Sequence, residues 1–341
     1  MPRSRRWSIP SSTCSSRRPG ARSVRSPPRP DPVAVGTAGA PSSEADSIRA
    51  GFISGVTAYV LWGFSVIFYK WLAHVPASEV IAHRIVWTVF FVGLFLVAFG
   101  RLNEVLLALR DRRVLLRLLL SASIIGINWL VFVWAIAQNQ VLAVSFGYFI
   151  NPLVSVMIGF LLLGERLSTG QRVAIGLAVV AIVIQATTLH GFPWISLFLA
   201  CSFAAYGYVR KLTPVGASPG LFIETSLILP LGIAYVVWLE ATGTGHFTDS
   251  PVDVALLLGT GIVTSLPLIL FAFAARRLTL TVVGLLQYLA PSIQFALAVL
   301  VYGEPLSAER FASFALIWVA LAVFSIASLR KKRPPEPVKT V

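Results

Sequence analysis

The stretch 141–168, VLAVSFGYFINPLVSVMIGFLLLGERLS, aligns without a gap to 280–307, LTVVGLLQYLAPSIQFALAVLVYGEPLS, at an offset of 139 residues. Identities fall at Val144/Val283, Pro152/Pro291, Leu161/Leu300, Gly164/Gly303, Glu165/Glu304, Leu167/Leu306 and Ser168/Ser307. Seven matches in 28 positions are few, but the spacing from proline to Gly-Glu is kept in full. Each copy also carries the roughly 20 mostly apolar residues that a membrane-crossing helix needs. The first expectation is therefore an internal repeat of membrane helices.

Outward from these two copies, the chain reads as ten apolar runs, near 50–71, 79–99, 114–137, 141–163, 171–189, 192–210, 219–239, 252–274, 280–302 and 310–329. The repeated stretch is the fourth and the ninth of them, so each copy is the fourth helix of a five-helix half. Alternating β-barrel patterning is absent. The fold class expected is all-α integral membrane, with ten transmembrane helices arranged as two inverted five-helix repeats, 48–189 and 190–329. Composition agrees: of 341 residues 56% are hydrophobic and 12% charged, with mean hydropathy +0.80. Soluble domains carry about 25% charged residues. A soluble enzyme, a disordered chain and a disulfide scaffold are all excluded, and Cys14 and Cys201 imply no bridge.

The net charge of +14 would suggest nucleic acid on a soluble protein, but its distribution points elsewhere, and no nucleic-acid partner is expected. Residues 1–47 are rich in Arg, Ser, Pro and Gly without an apolar run, which predicts a disordered basic tail and no secretory signal. Residues 330–341 form a second basic tail. With the N-terminus placed in the cytoplasm, sixteen basic residues from Arg101 to Lys339 fall inside and only Lys70 and Arg310 fall outside. Such a bias sets orientation. Both termini are thus expected in the cytoplasm of a multi-pass inner-membrane protein. Five helices per half is odd, so the second half enters the membrane inverted. Inverted repeats characterise secondary transporters, whose substrate binds near the bilayer midplane at the repeat interface.

The strings AHRIVW (82–87), NWLVFVWA (128–135), SFGYFINPLVSVMIGFLLLGERL (145–167), YGYVRK (206–211), GIVTSLPL (261–268) and QYLAPS (287–292) resemble EamA-type members of the drug/metabolite transporter superfamily. Within that family the likeness is to the RarD subgroup. It runs from about residue 50 to 329. The resemblance implies a secondary transporter, a proton- or gradient-coupled exporter of small metabolites and drugs. A channel or a sensor without coupled transport is the alternative reading.

Charged groups within a membrane cost about 2.5–3.5 kcal/mol each on insertion scales, so those present need a reason. Glu79, His83 and Arg84 are grouped within six residues of the second run. Glu79 and His83 share a helix face at i, i+4. Arg84 is the candidate holder of an anionic substrate group, with Glu79 or His83 exchanging a proton; a self-neutralising brace is the alternative. Glu224 is the nearest counterpart of Glu79 in the second half and a second candidate proton carrier, or a residue snorkelling to the cytoplasmic end. Asn128 and Trp129 read as an interhelical bridge or as cavity lining. Tyr148 and Asn151, with Gln287 and Tyr288, are candidate cavity-lining groups beside the paired prolines Pro152 and Pro291, which mark kinks or gates. The two Gly-Glu pairs read as loop braces with a shared closure role. Apart from Arg172 and Arg310 at their starts, the runs 171–189 and 310–329 carry no ionisable group inside their spans, which suits them to lipid or to the contact of a homodimer. The expected partners are a small-molecule substrate, the lipid bilayer and protons. No cofactor, metal or catalytic residue is expected: the four histidines are scattered, and there is no H-E-x-x-H or phosphate loop.

Overall fold

The computed structural model describes residues 40–163, 167–188 and 192–330, which form helices joined by loops, with no strand among them. Most of the N-terminal tail, Gly164 to Arg166 and the C-terminal tail from 331 lie outside the described residues. In chain order the helices are α1 (Ala40–Trp71), α2 (Ala77–Ala98), α3 (Leu102–Leu109), α4 (Arg112–Ala137), α5 (Val141–Leu163), α6 (Thr169–Thr188), α7 (Trp194–Lys211), α8 (Ala217–Thr242) and α9 (Pro251–Ala275). Then follow α10 (Leu280–Leu286), α11 (Leu289–Ala296), a π-helical turn (Leu297–Val301) and α12 (Ala308–Arg330). Local signals explain several boundaries. Asp111 caps α4 by accepting from the backbone of Arg113 at 2.8 Å, and Ser250 caps α9 ahead of Pro251. Gly243 ends α8 at φ +66°, a conformation that favours glycine.

Side chains are distributed inside out relative to a soluble protein. Leu231 and Leu300 are 74% and 81% exposed, whereas Thr88, Ser121, Asn128, Ser145, Ser196 and Thr260 are fully buried. Apolar surface outside and small or polar groups between helices is the arrangement that lipid selects. Close approach follows: a Cβ on Gly261 would sit 2.6 Å from the Trp87 backbone, so α2 and α9 meet without a side chain between them.

Among the described residues, nine segments are long and apolar enough to cross a membrane. The run expected at 192–210 is not among them, although it forms α7. Its polar residues are used internally. The Ser196 hydroxyl donates to the Ala143 carbonyl at 2.7 Å, and Ser202 accepts from the Asn128 amide at 2.9 Å. Nevertheless α7 traverses the bundle. Trp194 at its start meets Trp134 of α4 at 5.5 Å, while Arg117, near the start of α4, donates to the Leu212 carbonyl just past its end at 2.6 Å. Positions 117 and 134 of one helix lie about 25 Å apart, close to the thickness of a hydrocarbon core.

The loops gather at two ends. At one, His74 bonds Asp253 at 2.9 Å, Lys70 bonds Asn139, and Glu304 caps α5. At the other, Arg117 meets Leu212, and Arg210 donates to the carbonyls of Val215 and Gly216. Arg101, Arg110, Lys211, Arg276 and Arg277 border this second end, here termed the basic side. Extensive packing joins α6 with α12, α5 with α7 and α11, and α2 with α8 and α9.

The two repeat copies differ in shape. Helix α5 runs through Pro152 unbroken, whereas the second copy breaks at Gln287–Tyr288 before resuming as α11. Pro291 has no N–H for the carbonyl of Gln287, and its ring crowds that carbonyl. The kink therefore lies one turn ahead of the proline. Ser145 of α5 donates to the Pro291 carbonyl at 2.9 Å, which ties the two copies together.

Candidate functional site

Three of the suspected groups stand on α2, and the structure gives each a different neighbour. The Glu79 carboxylate, 1% exposed, accepts from the backbone N–H of His246 at 2.7 Å and bonds its Nδ1 at 2.8 Å. His246 belongs to the α8–α9 loop, 167 residues away. One turn deeper, the His83 ring stacks on Phe247 of the same loop at 4.7 Å and 18°, and the Trp87 indole points at its Nδ1 across 3.4 Å. This loop is thus pinned across the start of α2 by the Glu79–His246 hydrogen bonds and one stack.

Arg84 lies beyond both. Its guanidinium sits 4.0 Å from the Trp129 ring and 5.7 Å from the Tyr69 ring. Among the described residues no carboxylate pairs with it. Its Nε is buried without a hydrogen-bond partner, as are the Tyr69 and Thr88 hydroxyls, His83 Nε2 and Asn151 Oδ1. Cation–π contact with desolvated rings returns about 2 kcal/mol, less than the cost of burying the charge. The aromatic box therefore orients Arg84 without neutralising it. Buried polar atoms of this kind call for an explanation; His83 and Thr88 stand on the same helix as Arg84, and Tyr69 packs against it.

At the basic side, Glu224 of α8 is also 1% exposed. It accepts from the Ser121 hydroxyl at 2.5 Å and the Tyr206 hydroxyl at 3.3 Å, and Arg210 Nε stands 3.6 Å away. Glu224 is thus a member of a paired cluster joining α4, α7 and α8. Ser121 and Trp129 are eight residues apart on α4, which places the Glu224 cluster about 12 Å from Arg84 along the bundle. On α2, Glu79 lies five residues, or about 8 Å, to the other side.

The remaining candidates fall into two groups. The Asn128 amide bridges to the Leu199 carbonyl at 3.2 Å and to Ser202, so Asn128 joins α4 to α7. Tyr148 packs edge-on against Phe132 and Phe203, each at 6.0 Å, and Asn151 is buried one turn on. Gln287 and Tyr288 form the break itself, part-buried. Glu304 is a brace: its carboxylate accepts from the backbone N–H groups of Val141 and Leu142 at 2.6 and 2.9 Å, capping α5 from the opposite half. Its counterpart Glu165 lies outside the described residues. Sequence reading missed His246, Phe247, Tyr69 and the pairing role of Arg210. For the loop residues no local pattern exists. Arg210 could have been found, because YGYVRK closes α7 one short loop before Glu224.

Residues 49–187 match the EamA-like transporter family. A protein named RarD from Streptomyces exfoliatus is 43% identical over 84% of this chain and 91% of its own length. An uncharacterized transporter from Vibrio cholerae is 40% identical over 83% of this chain and 94% of its own. A solved crystal structure covering 84% of this chain and 99% of its own superposes with a TM-score of 0.56 at 17% identity, a likeness of fold. With its helical membrane architecture and these relatives, the chain is a multi-pass membrane transporter of small molecules and belongs to the RarD group of the EamA-like transporter family.

Proposed function

We propose that this transporter exports a small anionic metabolite, driven by a proton or substrate gradient, by exposing Arg84 alternately to the two sides of the inner membrane. The observation that carries this reading is the position of Arg84. It is a buried cation without a carboxylate partner, flanked at opposite ends by a buried acid, Glu79 and Glu224. Each acid joins separate elements, so each cluster serves as a closure for its own end. Release of the Glu79–His246 and His83–Phe247 contacts frees the α8–α9 loop. Release of Glu224 from Arg210 and Ser121 frees the ends of α7 and α8. Glu79, His83 and Glu224 are the candidate proton carriers. Asn128, Trp129, Tyr148, Asn151, Gln287 and Tyr288 line or support the path, and the Pro152 and Pro291 segments flex. The basic side faces the cytoplasm in this reading, which puts both termini inside. The outward valines of α6 and α12, such as Val179 and Val319, face lipid or a second copy.

Proteoliposomes loaded with a metabolite panel, with and without a pH gradient, test this. Saturable, gradient-dependent efflux is expected. Unchanged pH-driven flux in both Glu79→Gln and His83→Ala overturns the proton relay, and an external C-terminal reporter overturns the orientation.

A further inference from the structure

We infer that the substrate is an amphipathic monocarboxylate with a flat, aromatic body, and that Tyr148 and Phe203 select that body. This rests on the reading of Arg84 as the anion-holding group.

The charge argument comes first. Arg84 is the single unpaired cation of the described bundle interior, since Arg210 is engaged by Glu224. One cation balances one negative charge, so a monoanion fits where a phosphate dianion would bring an unmatched charge into a low-dielectric site. The guanidinium faces the rings of Trp129 and Tyr69, which leaves its in-plane N–H edge, including the unpartnered Nε, to donate. That fork matches a planar carboxylate.

The shape argument is independent. From Tyr69, the rings of Phe132, Tyr148, Phe203 and Tyr206 follow one another at 5.8, 6.0, 6.0 and 6.0 Å. Most of the steps are edge-to-face, and the last ring donates to Glu224. An aromatic ladder thus runs the roughly 12 Å between the Arg84 level and the Glu224 cluster. The ladder borders open space: Phe203 is 36% exposed, and a Cβ at Gly207, one turn on, would meet nothing within 4 Å. Aliphatic residues fill a bundle equally well. Phe203, the ladder ring at that open space, instead favours a flat apolar partner.

The test is binding by titration calorimetry of the full-length protein in detergent micelles. The probes are 3-phenylpropionate, propionate and 3-phenylpropan-1-ol. The expected result is that 3-phenylpropionate binds about tenfold or more tightly than either control, the fold-change that about 1.4 kcal/mol gives. Arg84→Gln should remove its advantage over the alcohol, and Phe203→Leu and Tyr148→Leu should remove its advantage over propionate. Leucine keeps an apolar side chain of similar bulk, and melting curves of each variant identify any that fail to fold. If both carboxylates bind alike and both need Arg84, the aromatic-body inference fails while the anion reading stands. If 3-phenylpropionate binds equally well to Arg84→Gln, the anion reading itself fails. If 3-phenylpropionate does not bind at all, the inference is overturned.

Discussion

Glu79 and Glu224 are buried to the same degree, 1% exposed each, at opposite ends of the bundle, yet they are held by different kinds of partner. Glu224 is gripped from within secondary structure by an arginine, a serine and a tyrosine on α7 and α4. Glu79 is held by a loop, through one imidazole and one backbone N–H of the same residue. The comparison teaches that the two ends are tied by unequal means. Side chains of packed helices hold the basic side, and a seated loop holds the other. Glu304 adds a reference point, a carboxylate hydrogen-bonded by two backbone N–H groups.

Substitutions that remove one partner grade this difference. Arg210→Met strands a buried carboxylate and should cost about 3 kcal/mol of stability, read from unfolding in detergent. Adding Glu224→Gln should recover most of it. A loss below about 1 kcal/mol would mean that Ser121 and Tyr206 suffice, and the contrast between the ends would collapse. His246→Ala leaves the backbone donor in place, so a smaller loss of about 1–2 kcal/mol is expected. Its signature is local: faster hydrogen exchange across 243–250, with the α7–α8 junction unchanged. Exchange that rises equally at both ends would contradict separate closures.

The smallest effect is expected at Glu304. Burial pushes its carboxyl above the usual carboxylate range, against the opposing pull of the Leu142 and Val141 N–H groups. The native state then holds this proton more tightly than the unfolded chain does. Its contribution is present in full below about pH 4.3, the ordinary glutamate value, and declines as pH rises through the higher folded value. Glu304→Gln should change stability at neutral pH by under about 1 kcal/mol and flatten that decline. A steeper pH dependence in the variant would show that the cap works by charge instead.

Much of the fold is legible in the sequence because lipid imposes a simple rule, apolar residues outward over a fixed length. Among the described residues, nine segments meet that rule by composition. Helix α7 was legible only as a run, since Ser196, Ser202 and Tyr206 spend their polarity on neighbours rather than on water. The short helix α3 escaped notice because eight residues with Leu102, Leu106 and Leu107 exposed read as loop. The prolines of the repeat were legible, but not the difference between copies: Pro152 is absorbed within α5, while the break before Pro291 falls at Gln287–Tyr288. At the site, charge in an apolar run flagged Glu79, Arg84 and Glu224. What each one touches was hidden, because His246 lies 167 residues from Glu79 and no periodicity reports such a distance.

The central claim is that Arg84 is the station shared by both closures. The measurement that tests it most directly is counterflow in proteoliposomes, with substrate identified from the metabolite panel, comparing the natural chain with Arg84→Gln. Saturable exchange in the natural chain, lost in Arg84→Gln while reconstitution and melting behaviour are kept, is the result predicted. Flux that does not saturate, or exchange undiminished by Arg84→Gln, would contradict the account.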